Sequence, residues 1–457
     1  MNVLLITADT LRADHMSCYG YWRPTSPNLD RLAAEGIRFE NFIGQGAHTL
    51  PSFTSMMTGK TPFETGVVAT LHCAPDTPSG RLSDNVPTLA EILAQNGIQT
   101  YAIDNLMNFA CHPSWFVRGF GEYVNPNPES FVTRLIADRM NDVLFGVLDG
   151  VREPFFLWAH YWDPHLPYNQ PDEFLAPFDT SDGDAHVKET ADGRRYVPGW
   201  GSLDALENGD WAGGRMRARS GDRVQGSRNM INAYDGEILY LDTRLGDVFD
   251  RMKTLGLYDD TCILFTSDHG ETMADQLTHF CHVQALDACT RLPLIVKPAK
   301  GMPAKQGSRS GLATHTDLAP TILDLWDVST DIPIEGRSLK AALEGTEDNL
   351  RDHVVSTGMY LLEEGLWKSI EVAARTARWR LVHKSRLTDY PKEGLRLSKL
   401  WEIIAELYES EPPDRLYDVA NDPDETTDVA DENPSVVEKV RQHLKPAIES
   451  PYFYTGE

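Results

Sequence analysis

Positive charge is scarce in this chain. Its 42 lysines and arginines face 68 aspartates and glutamates, for a formal net charge of −26. That excess of acid argues against nucleic acid or an anionic membrane surface as a partner. Long apolar runs are also missing: none approaches the ~20 residues needed to cross a bilayer. The six cysteines (Cys18, Cys73, Cys111, Cys262, Cys281, Cys289) include no Cys-x-x-Cys pair, so buried free thiols are expected. No signal-peptide pattern precedes the first strand-like run, which starts at residue 3. A soluble, cytoplasmic protein is the expectation, with homo-oligomerisation left open.

What the chain does have is length and an apolar core. At 457 residues and 41% apolar content, one large domain with a smaller companion is the natural division. Strand and helix patterns alternate through the first three quarters. Val3–Ala8, Gln99–Asp104, Phe155–His160, Cys262–Thr266 and Leu294–Val296 read as buried strands. Helices are predicted near Pro27–Gly36, Pro51–Thr58, Pro87–Gly97 and around 130–148, 228–254 and 316–327. This alternation predicts an α/β/α sandwich with a mostly parallel sheet. Residues 171–227, rich in Gly, Asp, Arg and Ser, break the pattern and read as a lid or substrate-loop insertion. From about 345 the character changes, with an alternating strand over Ala374–Val382, another at Arg415–Val419 and a helix at 434–448. We therefore expect a catalytic domain over 1–345 and a small α+β domain over 346–457.

The chemistry gathers at strand ends. Ser267-Asp268-His269-Gly270-Glu271 follows one apolar strand, and Asp9-Thr10-Leu11-Arg12 follows another. Two strand-end acids and a histidine suggest a shared metal, in the place where open α/β sheets bind ligands. Gly46-Ala47-His48-Thr49-Leu50-Pro51 puts Thr49 at the mouth of a helix, where free amides favour an anion. On the local pattern alone, Thr49 reads first as a simple cap.

These motifs occur in a recognisable series. Asp9-Thr-Leu-Arg12, Ser26-Pro-Asn-Leu-Asp30, Thr49-x-Pro51-Ser52, Thr58-Gly59-Lys60, Pro164-His165-x-Pro167-Tyr168, Ser267–Glu271 and Arg291-Leu-Pro293-Leu294 appear in one order. The chain resembles the sulfatase branch of the alkaline phosphatase superfamily from end to end, including a C-terminal Leu416-Tyr-Asp-Val-x-Asn-Asp-Pro-Asp-Glu425. The resemblance implies that superfamily's fold, a divalent cation and a small-molecule anionic ester as substrate.

The departures are informative. Sulfatases carry a Cys or Ser that is oxidised to formylglycine; Thr49 stands there, and Phe53 takes the place of the motif's arginine. Only one acid, Asp9, occupies a place where sulfatases usually have two. His282, nine residues before Arg291, replaces a lysine, and a second lysine expected near Ile103-Asp104-Asn105 is absent. A threonine ester cannot be released by elimination as a formylglycine hydrate can, so a water must be activated. The resemblance to threonine-dependent phosphodiesterases and phosphoethanolamine transferases then implies two divalent ions (Mn, Zn or Fe). One would lie on Asp9, Thr49, Asp268 and His269, the other on His165 and His282 with Asp163. On this reading Thr49 is the nucleophile, His165 serves the leaving oxygen and Arg12 supports the anion. Lys60 is a further candidate support.

The expected reaction is hydrolysis of phosphate esters, with phosphodiesters or phosphonate monoesters favoured. The alternatives are a sulfatase or phosphotransferase on the same fold, or a catalytically silent binding protein. His48, His72, His112, His160 and His279 are expected to be packed or to sit outside the metal shell, and Asp317 beside His315 to be a helix cap.

Overall fold

The structure is a computed structural model that describes residues 1–455 except 70–80, 105, 107–114, 128–134, 179–181, 191–192, 203–226, 276–281, 283, 364–365 and 386–411. A nine-stranded sheet forms the centre. Its strands are β1 (Asn2–Ala8), β2 (Ile37–Ile43), β3 (Gln99–Ile103), β4 (Glu122–Val124) and β5 (Phe155–Tyr161), followed by β6 (Thr261–Ser267), β7 (Arg291–Leu292), β8 (Leu294–Lys297) and β9 (Gly307–Thr314). In space the order is β7-β2-β8-β6-β1-β5-β3-β4, with β9 beside β2. The run β6-β1-β5-β3-β4 is parallel, whereas β8 pairs antiparallel with both β6 and β2.

Both faces of the sheet are covered, which is why β1, β5 and β6 are continuous apolar runs buried along their whole length. Alternate residues of β1 serve opposite layers. Leu4 and Ile6 pack into a core with α1 (Pro27–Glu35), α4 (Ala137–Leu148) and α5 (Ser227–Thr254) through Leu29, Leu144 and Leu241. Val3 and Leu5 pack into another with α2 (Thr49–Thr58), α3 (Leu89–Gln95) and α6 (Leu318–Leu325) through Phe53, Leu93 and Ile322. The α/β/α sandwich is as expected.

Beyond it, β10 (His353–Thr357), β11 (Glu371–Thr376), β12 (Trp379–Lys384) and β13 (Asp414–Asp418) make an antiparallel four-stranded sheet. Helix α7 (Pro434–Ile448) lays Val440, Leu444 and Ala447 against Val372, Ala374 and Leu381.

Three local expectations change. The single strand predicted over Ala374–Val382 is a hairpin, because Thr376 Oγ1 accepts from Trp379 N at 2.8 Å and donates to Trp379 O at 3.0 Å, closing a turn at Ala377-Arg378. Helix α2 begins at Thr49 rather than Pro51, with His48 as N-cap, and stops at Gly59 in the left-handed region (φ 68). Proline is tolerated at the third position because a first-turn amide has no intrahelical acceptor to lose. The described residues of 171–202 form short helices and a small three-stranded sheet rather than loop alone. They pack onto the main body through buried Trp200, whose ring lies 4.8 Å from the Arg23 guanidinium. The rest of that insertion, 203–226, lies outside the described residues.

Candidate metal centre and nucleophile

Parallel pairing brings four strand ends level. Ala8 lies beside Ser267, Thr7 beside His160, and Ile103 beside Ala159. The residues at or next to these strand ends therefore stand side by side across β6, β1, β5 and β3: Asp268, Asp9, His160 (level with Thr7, one residue before the end of β5) and Asp104. All four are fully buried.

The first two form the centre with His269. One donor atom from each of Asp9, Asp268 and His269 lies within 4.8 Å of the others. His269 Nε2 is 3.3 Å from Asp268 Oδ2, 3.7 Å from Asp9 Oδ1 and 3.3 Å from Thr49 Oγ1. Its Nδ1 faces the Gly270 carbonyl at 2.9 Å, so that nitrogen holds the proton and Nε2 turns a lone pair to the acids. Backbone amides fix the rest: His269 N and Thr10 N donate to Asp268 Oδ1 at 2.8 and 3.2 Å. Thr10 reaches that position only at φ 59, a strained conformation for a β-branched residue. Tyr234 holds it there, donating its hydroxyl to Thr10 O at 2.7 Å. Gly270 is required by close approach, since a Cβ would meet the Ala288 carbonyl oxygen at 2.0 Å.

The donor set fits a cation. Both oxygens of Asp9, Oδ2 of Asp268 and Thr10 Oγ1 are buried without a hydrogen-bond partner among the described residues. Burial opposes ionisation of both acids. Around Asp9, His165 and then His160 and His269 outweigh it and lower the pKa, while Asp268, beside Asp9, is pushed up to about 7. Two adjacent buried carboxyls facing an imidazole lone pair are costly unless a positive ion lies among them. Asp, His and Thr donors suit Mn, Zn or Fe.

Thr49 enters from α2, where it is the first helical residue and 4% exposed. Its hydroxyl thus faces the acids at the helix's amide-rich end. His282 stacks on the outer side of His269, with ring centroids 4.6 Å apart, and lies 5.1 Å from the His165 ring. These two histidines meet, as the sequence led us to expect. Glu271, which sequence reasoning did not assign, is the carboxylate beside them: its Oε1 is 3.2 Å from His282 Nδ1 and its Oε2 is buried without a partner among the described residues. Burial works against its charge, but His282, His165 and His269 together lower its pKa.

Other assignments are corrected. Asp163 does not face His165 and His282; its carboxyl pairs with that of Glu237 on α5, and burial pushes it up to about 7. The cause is the turn after β5, which sends Asp163 toward α5 and His165 toward the centre. Arg12 is not available to an anion. Its guanidinium is buried, bound to Asp14 at 2.7 Å and Asp275 at 2.8 Å, and donates to Glu271 O at 3.0 Å. It fixes the backbone that carries Glu271. Lys60 follows the far end of α2, about 15 Å from Thr49 at 1.5 Å per residue, and pairs with Glu64 at 3.5 Å. His160, expected to be packed or to sit outside the metal shell, lies among aromatic rings with its Nε2 3.7 Å from Asp9 Oδ2. His48 caps α2 with its ring 6.4 Å from that of His282. Asp317 caps the helix start as expected, with Arg351 beside it. His72, His112 and His279 lie outside the described residues. Strand-end position was the available signal for Asp104 and His160; their shared level required the strand order.

The family model described as Sulfatase matches residues 1–328. Similar curated proteins include iduronate 2-sulfatase of Mus musculus, 27% identical over 344 residues; the match covers 65% of this chain and 59% of that protein. N-acetylglucosamine-6-O-sulfatase of Bacteroides thetaiotaomicron is 23% identical over 450 residues, covering 84% and 78% of the two chains. Among solved structures, phosphonate monoester hydrolase of Agrobacterium radiobacter superposes with a TM-score of 0.71 at 20% identity, over 97% of this chain and 95% of that one.

Proposed function

Because the chain belongs to the sulfatase family, we propose that it is a metal-dependent hydrolase of small anionic esters, with sulfuric esters the first class of substrate. The observation that carries this is the Thr49 hydroxyl held 3.3 Å from His269 Nε2 at a helix start. The relatives support sulfate as the group transferred. A phosphodiester or phosphonate monoester is the second reading. It is favoured by threonine in the nucleophile's place and by His282 where the family pattern leads one to expect lysine.

Asp9, Asp268, His269 and Thr49 would hold the cation, which when bound acidifies the threonine hydroxyl and neutralises charge on the ester. Thr49 Oγ1 attacks the central sulfur or phosphorus, and the amides of α2 orient the ester's free oxygens. His165 and His282 lie on the open side of His269, where the leaving alcohol departs and the hydrolytic water enters. In the phosphoester reading they are also the donors for a second ion, with Glu271 in the part once assigned to Asp163. A threonine ester needs this water, since it has no second hydroxyl through which to eliminate.

The test is a panel of p-nitrophenyl sulfate, p-nitrophenyl phosphate, its phenylphosphonate and bis-p-nitrophenyl phosphate, each with Mn2+ and Zn2+. Highest kcat/KM on the sulfate supports the first reading; highest on the diester or phosphonate replaces it with the second. Metal binding without turnover of any ester would mean a silent binding protein.

A further inference from the structure

The centre's inner neighbour is His160. Its Nδ1 lies 2.7 Å from Asp104 Oδ1, and its Nε2 lies 3.7 Å from Asp9 Oδ2. All three side chains are fully buried, and Nε2 has no hydrogen-bond partner among the described residues. Asp104 is itself fixed: its Oδ2 accepts from the Tyr123 hydroxyl at 2.5 Å and from Leu106 N at 2.9 Å. The imidazole cannot turn away, since Phe53 lies edge-on at 4.7 Å, Trp162 at 5.1 Å, and Trp158 stacks parallel at 6.1 Å.

A histidine that merely filled space would not hold its second nitrogen dry against a carboxylate. With Asp104 taking the Nδ1 proton, a bare Nε2 lone pair would oppose Asp9, so a proton or a cation must lie between them. The other oxygen of Asp9 is the one facing His269. The two oxygens therefore have separate tasks. Phe53 also stands where the family resemblance leads one to expect an arginine, and it packs on this same imidazole.

We propose that His160, anchored by Asp104, is a positioning residue for the cation site, holding Asp9 Oδ2 so that Oδ1 stays turned toward Asp268 and His269. This rests on the metal reading above. Partners that orient ligating groups typically carry about 10–100-fold in metal affinity.

The experiment is Mn2+ titration of the chelator-stripped full chain by calorimetry, repeated with Zn2+, for the parent, Asp104→Asn, His160→Gln and the double variant. Melting of the metal-free proteins is followed alongside. Affinity should fall about 10–100-fold in each single variant, and the double should be no worse than the worse single, because Asp104 acts through His160. Tyr123→Phe, which loses one bond to Asp104, should give a smaller loss and covers the case in which the others fail to fold. Unchanged affinity with a lowered metal-free Tm would make the dyad structural and overturn the inference. Unchanged affinity with reduced kcat at saturating metal would also overturn it. A parent that binds neither ion sinks the metal reading itself, a distinguishable failure.

Discussion

Two carboxylate–histidine pairs flank the same centre, and they differ in almost everything except chemistry. Asp104–His160 lies on the sheet side, wholly buried, pressed among aromatic rings and directed at Asp9. Glu271–His282 lies on the outer side, where the carboxylate is buried but the histidine is 27% exposed. The first can act only on the protein's own ligands, because nothing from solvent reaches it. The second is open to solvent at His282, on the side the proposed mechanism assigns to substrate and water. On the proposed function, the same carboxylate–imidazole unit would serve ligand positioning when dry and ester chemistry when half open.

The largest effect comes from removing what both pairs serve. Thr49→Ala should lower kcat at saturating Mn2+ by at least ~10^3-fold on every active ester and, because it also removes a donor to the cation, weaken Mn2+ binding, read by steady-state rates and calorimetry. Full activity in this variant would break the covalent mechanism. Glu271→Gln separates the pairs: kcat should drop about 10–100-fold with the tightest Mn2+ equivalent unchanged, the reverse of Asp104→Asn. Equal metal losses in the two variants would collapse the distinction between them.

Asp163→Asn should keep kcat within about threefold of the parent, since Asp163 faces Glu237 and not the histidines. A loss as large as that of Glu271→Gln would return Asp163 to the site. The smallest expected effect concerns only stability, away from both pairs. Asp242 on α5 accepts from Asn28 N and Leu29 N at the start of α1, and burial raises its pKa to about 6. The folded state thus holds this proton more tightly than the unfolded one. Its contribution is full below about pH 4 and is lost as pH rises through 6, roughly 1–3 kcal/mol. The Tm difference between parent and Asp242→Asn should therefore shift against the parent over that range, and a flat difference would reject it.

Much of this was legible in the chain. Asp9, Asp268 and His269 follow runs of buried strand character, and a strand's end is readable from where its apolar pattern stops. Thr49 was readable as a residue at a helix mouth, though not as its first turn, because the pattern marks Pro51 more strongly than the N-cap at His48. Asp163 was misassigned because lying two residues from His165 says nothing about which way a turn sends each side chain. Arg12 was misassigned because Asp275 lies 263 residues away and its claim on the guanidinium is visible only in space.

By itself, the sequence determined the layered α/β architecture, the strand-end acids and the threonine in the nucleophile's place. Those properties depend on local periodicity and on side-chain identity. Only the tertiary structure decided that His160, held by Asp104, lies beside Asp9, and that Glu271 rather than Asp163 joins His282. Both depend on strand order and register, which the chain sets through contacts between residues far apart in sequence.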